Sequence, residues 1–212
     1  MNLRVSSLSG WNDCPRRAST RVVYDLIKQA GFELRSAVKS VSSAIGTGVH
    51  AGAAHVMKEK IDDRTPKLSD AVEIGINKFR EEAADGIEFD TKTDSNNTGE
   101  IQIKNIETAF YHGVAPQIKP IEIEKSYEAP IKPGFYLTGH PDIIEPTRIR
   151  DLKTGRDGQT YQAQLGGYAL LRQAHSEIVP ISLVIDWIPR VSIKKPQPAP
   201  ISYEYPVLRF VS

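Results

Sequence analysis

The 212-residue chain has only one cysteine, Cys14, and no long run of apolar residues. A single cysteine excludes an intrachain disulfide and any site that needs several thiolates from this chain. The first residues lack the continuous apolar stretch of a signal peptide, and no window reaches the roughly 18 apolar residues of a membrane span. We therefore expect a soluble, cytoplasmic protein that does not enter a membrane.

The chain also lacks an excess of charge of either sign. It has 27 lysines and arginines against 26 aspartates and glutamates, which gives a formal net charge of +1. This balance argues against a globally basic nucleic-acid coat protein but leaves room for a local basic groove. Basic runs at Arg16 and Arg17 and from Arg148 to Arg156 are candidates for such a groove, although runs of this kind usually form a solvated face.

The length and the apolar fraction of 40% favour one domain, residues 1–212, with one sizeable core. The part to about residue 115 has the apolar spacing of helices. The predicted helices cover about 15–30, 42–62, 68–86 and 98–114, with Thr98 as the cap of the last one. The polar stretch 89–100 before that helix is expected to be an exposed loop.

The part from about residue 116 to 212 is rich in β-forming residues. Strand-like runs occupy about 118–131, 134–144, 148–155, 181–191 and 201–211, and a helix is predicted over 160–177. The short proline-rich stretch 194–200 is expected to join the last two strands. Helices that precede and interrupt a mixed sheet make the predicted class α/β.

The stretch YLTGHPDIIEPTRIRDLKTG predicts a hairpin that carries two aspartates. With Glu145 to Arg148 as a four-residue loop, Asp142 faces Asp151 on one face of the sheet, where like charges repel. Alternation puts Lys153 on the same face. A bound divalent cation such as magnesium is the simplest account of this arrangement, and two surface aspartates on an ordinary hairpin are the alternative.

Three further constellations each have a structural and a functional explanation. Gln164 and Tyr168 are four residues apart on one helical face, where core packing by the tyrosine is the plainer account. His50 lies in the small-residue run GTGVHAG, which lacks the lysine and hydroxyl of a P-loop, and a lone histidine is more often structural. The N-terminal CPRR follows Trp11 and begins an amphipathic helix.

Together these elements resemble the RecB-like branch of the PD-(D/E)XK nuclease superfamily, which includes CRISPR-associated RecB-like exonucleases and many phage exonucleases. The matching motifs are S-x-L-x-x-W-x-x-C-P-R-R from Ser6 to Arg17, G-x-x-x-H from Gly46 to His50, G-x-x-D from Gly139 to Asp142, DLKTG from Asp151 to Gly155 and Q-x-x-x-Y from Gln164 to Tyr168. Each motif is weak alone, but five in the family's order are strong evidence. The resemblance implies a central mixed β-sheet flanked by helices, in agreement with the pattern above.

The resemblance also implies a metal site. The ligands that it implies for Mg²⁺ or Mn²⁺ are His50, Asp142, Asp151 and the backbone carbonyl of Leu152. Glu124 matches a further glutamate that is often found in these proteins, although Glu122 fits the local sequence nearly as well. Several relatives bind an iron-sulfur cluster through one cysteine at the CPRR position and three more near the C-terminus. Because no cysteine follows Cys14, no such cluster is expected here.

Catalytic and DNA-binding roles follow from the same resemblance. Lys153 would position or activate the attacking water, and Gln164 and Tyr168 would steady that lysine or the DNA backbone. The residues that would contact DNA are Arg16, Arg17 and Arg156.

The implied function is metal-dependent DNA phosphodiester hydrolysis in recombination, repair or phage DNA metabolism. An exonuclease is favoured over an endonuclease. The substrate would be single- or double-stranded DNA, in a bacterial cell or a phage-infected host. A recombination or single-strand-binding protein and further copies of the chain are candidate partners. The alternatives are a non-hydrolytic nucleic-acid-binding accessory protein that retains the nuclease fold, and a metal-binding or structural protein unrelated to DNA.

Overall fold

The structure is a computed structural model that describes residues 2–8, 10, 14–33, 38–155, 161–175 and 180–207. Its α-helices are α1 (Pro15–Val22), α2 (Tyr24–Gln29), α3 (Val41–Ile61), α4 (Leu68–Ala83), α5 (Asn96–Gly113) and α6 (Gln162–His175). Its strands are β1 (Asn2–Arg4), β2 (Glu122–Ile123), β3 (Tyr127–Lys132), β4 (Phe135–Gly139), β5 (Ile143–Ile144), β6 (Arg148–Lys153), β7 (Ser182–Trp187) and β8 (Ile201–Pro206). None of the helices in these ranges has the length and apolar character needed to cross a lipid bilayer.

The strands form two mixed sheets that are flanked by helices, which confirms the α/β class. The larger sheet has the order β2-β5-β6-β7-β8, with β6 and β7 parallel and the other neighbours antiparallel. The smaller sheet has the order β1-β4-β3, with β1 parallel to β4. One sheet was predicted instead of two, and β1 was not predicted.

Two runs that were each predicted as one strand, 118–131 and 134–144, are divided between the two sheets. The first contains β2 of the larger sheet and β3 of the smaller one. Strand β4 ends at Gly139 and belongs to the smaller sheet, whereas β5 begins at Ile143 and belongs to the larger one. Pro141 lies between them and has no N–H group to donate to a β-ladder. The chain therefore leaves the smaller sheet at Gly139 and enters the larger one directly after Asp142.

The predicted hairpin register is confirmed for Ile143 and Ile144, whereas the predicted pair of Asp142 and Asp151 lies outside the ladder. Ile143 pairs with Arg150 and Ile144 pairs with Ile149, as a loop from Glu145 to Arg148 requires. The ladder between β5 and β6 begins at Ile143, so Asp142 directly precedes it.

The larger sheet has apolar packing on both faces. On one face Ile143, Leu152 and Ile188 pack with buried residues of α3, α4 and α5. On the other face Ile149 and Ile185 pack with α6 and with the smaller sheet. Burial of each such side chain contributes about 1.5–3 kcal/mol, so both layers hold the sheet in place. The two faces explain why the middle of β7 is a continuous apolar run, Leu183 to Ile185, with little alternation.

The glycines of α3 allow it to pack closely against α4. A Cβ atom on Gly48 would lie 2.6 Å from the carbonyl oxygen of Gly75, and one on Gly52 would lie 2.6 Å from that of Ala71. Each glycine in a helix costs roughly 1 kcal/mol relative to alanine. The close approach of the two helices accounts for this cost, since a larger residue would force them apart.

Two helix predictions need correction. The helix predicted over 15–30 is divided into α1 and α2 at Val23, whose φ of −101° and ψ of 19° are not helical. Helix α5 is capped by Ser95, whose side chain accepts a hydrogen bond from the N–H of Thr98, so Thr98 is not the cap. The preceding polar stretch is only partly exposed, because Thr93 is fully buried and pairs with Asp90.

Candidate active site

Four elements bring the predicted site residues together at one end of β6. Asp151 and Lys153 lie on β6, and Asp142 directly precedes β5. His50 comes from α3 and Gln164 from α6, which cover opposite faces of the larger sheet. A sheet buried on both faces thus positions side chains that are far apart in the sequence.

Asp142 connects α3 to the edge of β6. Its Oδ1 lies 3.2 Å from Nδ1 of His50. Its Oδ2 accepts a hydrogen bond of 2.6 Å from the backbone N–H of Leu152. This bond takes the place that a partner strand would occupy beyond the end of the β5–β6 ladder, and it fixes the carboxylate beside β6.

Asp151 connects β6 to α6. Its Oδ1 accepts a 3.0 Å hydrogen bond from Nε2 of Gln164, and its Oδ2 forms an ion pair with Nζ of Lys153. Gln164 Nε2 also lies 3.0 Å from the hydroxyl of Tyr168, one turn further along α6. The helical face predicted for Gln164 and Tyr168 is therefore the face that meets the aspartate.

His50 and Asp142 each stabilise the charged form of the other. Burial alone would lower the pKa of His50, but the charge and hydrogen bond of Asp142, together with the charge of Asp151, raise it to about 9. Burial alone would raise the pKa of Asp142, yet the charge and hydrogen bond of His50 bring it below the ordinary value. The pair is consequently an imidazolium and a carboxylate at neutral pH.

Asp151 is in a less favourable environment than Asp142. Burial and the charge of Asp142 raise the pKa of Asp151 to about 6, although Lys153 opposes this change. Burial would lower the pKa of Lys153, but the charges of Asp151 and Asp142 raise it above the ordinary value. Lys153 therefore remains an ammonium group inside the site.

Comparison with known proteins identifies the family of the chain. The family model for the PD-(D/E)XK nuclease superfamily matches residues 2–191, which is most of the chain and includes every residue of the cluster. The chain belongs to the PD-(D/E)XK nuclease superfamily.

A solved structure shows the same fold. It is the 2.19 Å crystal structure of a "Putative exonuclease" from Eubacterium rectale, which is similar over 98% of this chain and 73% of that one, with a TM-score of 0.60 and 12% sequence identity. At this identity the likeness concerns the fold alone. Comparison with curated protein sequences found no match.

PD-(D/E)XK nucleases generally use divalent metal ions, and the donor set of this chain is suited to them. Two carboxylates, an imidazole and a peptide carbonyl are hard oxygen and nitrogen ligands of the kind that Mg²⁺ and Mn²⁺ accept. Within the described ranges, however, no group of three or more His, Cys, Asp or Glu side chains is arranged to hold an ion. The carboxylates are turned toward His50, Lys153 and the N–H of Leu152 instead.

The carbonyl of Leu152 points to the same edge of the site as Asp142. In a β-strand, the N–H and C=O of one residue point to the same neighbour. The N–H of Leu152 meets Asp142, whereas the carbonyl of the next residue, Lys153, accepts a 2.8 Å hydrogen bond from Ile188 after β7. The direction of the Leu152 carbonyl thus suits the role that the resemblance implies.

Glu124 lies beside the site and Glu122 does not. The backbone N–H of Glu124 donates a 3.1 Å hydrogen bond to the carbonyl of Asp142, and its φ of 43° is unusual for a residue with a side chain. Burial and the charge of Asp142 raise the pKa of Glu124, while His50 lowers it. Glu122 is bound to Arg172 and Tyr127 in a separate cluster.

The candidate DNA contacts are only partly described by the structure. Arg16 lies on the exposed side of α1, while the side chain of Arg17 and all of Arg156 lie outside the described part of the chain, as does Trp11. The basic run from Arg148 is not one surface, because the guanidinium of Arg150 is buried.

Arg150 belongs to an internal network that sequence patterns did not reveal. Its Nε donates a 2.6 Å hydrogen bond to Glu145, and its Nη1 lies 3.1 Å from both carboxylate oxygens of Asp186. All three side chains are less than a tenth exposed. The alternation of side chains along β6 could have indicated that Arg150 is buried, because Arg150 lies on the same face of the strand as the apolar Leu152.

Tyr161 also lies at the site and was not predicted there. The Nζ of Lys153 lies 5.2 Å from the centroid of its ring. Its position could have been inferred from the sequence, because Tyr161 lies three residues before Gln164 and therefore at the start of the helix that reaches the site.

Proposed function

We propose that this protein is a divalent-metal-dependent DNA phosphodiester hydrolase of the RecB-like type, acting as an exonuclease on single- or double-stranded DNA. The observation that carries the proposal is the meeting of Asp142, Asp151, Lys153, His50 and Gln164 at one end of β6 in a chain of this superfamily. Recombination, repair or phage DNA metabolism is the proposed context.

The side chains have distinct roles in this proposal. His50, Asp142, Asp151 and the Leu152 carbonyl would hold Mg²⁺ or Mn²⁺, with Glu124 as a further candidate. A bound ion of this kind supplies Lewis acidity toward a phosphodiester oxygen and a water of lowered pKa. Each ligand is one that a hard divalent cation accepts.

Lys153 and Gln164 complete the arrangement. Lys153 stays protonated because its pKa is raised, so it stabilises negative charge on the phosphoryl oxygens of the transition state. Gln164 holds one oxygen of Asp151 in a fixed orientation, and Tyr168 contacts the amide of Gln164. Both therefore act on the position of the carboxylate.

The test uses single- and double-stranded DNA labelled at the 5′ or the 3′ end, with Mg²⁺, Mn²⁺ or EDTA. The wild-type protein should shorten the DNA from an end only when a divalent ion is present. Asp151→Asn and Lys153→Met should each reduce cleavage by about 10²-fold or more, the range observed when one group that stabilises the transition state is removed.

Matched control variants are Asp85→Asn and Lys67→Met, which make the same changes at exposed positions. Their cleavage rates should equal that of the wild-type protein, and circular dichroism should show that all four variants are folded. Full activity in Asp151→Asn or Lys153→Met would refute the assignment. DNA binding without any cleavage by the wild-type protein would instead favour a non-hydrolytic accessory protein.

A further inference from the structure

The hydrogen bonds of the sheet fix the backbone of Lys153 but not the position of its side chain. Its backbone is held in place, since its carbonyl accepts a hydrogen bond from Ile188 and its Cα pairs with Trp187 of β7. A lysine side chain, however, has four rotatable bonds and loses much rotamer freedom when its ammonium group is held in one place.

Asp151 provides one restraint through its ion pair with Nζ. In the proposed reaction the same carboxylate has another task, because it is one of the candidate metal ligands. A second contact that does not depend on Asp151 would keep the ammonium group in place while the carboxylate is engaged elsewhere.

The aromatic ring of Tyr161 makes such a contact. The distance of 5.2 Å between Nζ and the ring centroid is within the range of about 6 Å in which a cation is attracted to the face of a ring. The position of Tyr161 is itself fixed, because its carbonyl accepts a 2.9 Å hydrogen bond from the N–H of Leu165 in the first turn of α6. The helix that presents Gln164 to Asp151 therefore also presents Tyr161 to Lys153.

We propose that Tyr161 is a positioning residue that holds the ammonium group of Lys153 through the face of its ring. This inference rests on the proposed function, in which Lys153 stabilises the transition state. The ring and not the hydroxyl makes the contact, so phenylalanine can replace Tyr161 and an aliphatic residue cannot.

The first experiment separates the cleavage step from DNA binding. Single-turnover cleavage is measured at saturating DNA with Mn²⁺, and the Kd for DNA is measured by fluorescence anisotropy with Ca²⁺ in place of Mn²⁺. Tyr161→Leu should lower the cleavage rate by about 2- to 30-fold, the equivalent of one cation–π contact, with the Kd unchanged. Tyr161→Phe should retain the wild-type rate.

The second experiment measures Lys153 directly in protein without metal. Reductive methylation with formaldehyde and cyanoborohydride, followed by peptide mass spectrometry, gives the rate at which each lysine is modified. Methylation of Lys153 should be faster in Tyr161→Leu than in the wild-type protein or in Tyr161→Phe. The control variant Tyr136→Leu, which alters a partly exposed tyrosine of the smaller sheet, should change neither cleavage nor methylation of Lys153.

Several results would overturn the inference. A weaker Kd with an unchanged cleavage rate in Tyr161→Leu would mean that the ring contacts the nucleic acid. Equal losses in the leucine and phenylalanine variants would assign the role to the hydroxyl, and unchanged methylation would remove the contact with Lys153. If the wild-type protein cleaves no DNA, the proposed function fails, and the methylation rates alone decide whether Tyr161 holds Lys153.

Discussion

Replacement of Gly48 by alanine tests how α3 is held beside the active site. The added Cβ would lie 2.6 Å from the carbonyl oxygen of Gly75 and 3.2 Å from Cδ1 of Ile103. The first of these atoms belongs to the backbone of α4, so it cannot rotate away. Either the two helices separate or the contact remains strained.

The expected change in unfolding free energy follows from two opposing effects. Alanine in a helix interior is more stable than glycine by about 0.5–1 kcal/mol, whereas overpacking of a tight interior costs about 1–3 kcal/mol. Gly166 in α6 is the matched control, because a Cβ there has no contact within 4 Å beyond its own helix among the described residues. Gly166→Ala should gain only the greater stability of alanine in a helix. The two variants should therefore differ by the overpacking cost, about 1–3 kcal/mol in unfolding free energy.

Urea denaturation followed by circular dichroism measures this difference. Because His50 lies two residues after Gly48 and contacts Asp142, cleavage by folded Gly48→Ala should also fall, while that of Gly166→Ala should not. If Gly48→Ala were as stable as Gly166→Ala, α3 and α4 would not approach each other as closely as described.

Three further predictions concern groups outside the active site. Glu107 is fully buried without a hydrogen bond among the described residues, and burial raises its pKa. The protein should therefore lose stability as the pH rises from the ordinary glutamate range through this raised pKa. Glu107→Gln should abolish that loss in urea titrations, whereas Glu73→Gln at an exposed site should not. Arg150→Met should cost about 3–5 kcal/mol, because two buried carboxylates lose their partner, and an unchanged denaturation midpoint would contradict this. Ser95→Ala should lower stability by about 1 kcal/mol through loss of the α5 cap, and an equally stable variant would restore Thr98 as a candidate cap.

The local features of the fold could be predicted from the sequence. The β5–β6 register follows from alternation and from a four-residue loop, both of which are encoded within about fifteen residues. The end of α4 is marked by Gly86, whose φ of 90° suits glycine. The contact of His50 with Asp142 was expected only through the resemblance, because no local pattern links α3 to the hairpin.

The features that could not be predicted depend on contacts between distant segments. Strand β1 exists because it pairs with β4, more than 130 residues further along the chain. Thr93 is buried because its hydroxyl bonds to Gln102 and it also contacts Arg190, and polarity alone suggested exposure. Basic runs cannot be assigned to a surface from sequence either, since Arg150 finds its acidic partners on other segments.

The electrostatics of the site refine the argument from two facing aspartates. Their repulsion does not by itself require a bound metal, because the protein places an imidazolium beside Asp142 and an ammonium beside Asp151. A bound metal is therefore indicated by the donor set and by the superfamily. A divalent ion held by His50, Asp142 and Asp151 would require the imidazole to lose its proton and would compete with Lys153 for the oxygens of Asp151. Once released from Asp151, Lys153 must stay close enough to act on the phosphate. A ring 5.2 Å from that ammonium group, carried by the helix that also orients Asp151, meets this requirement.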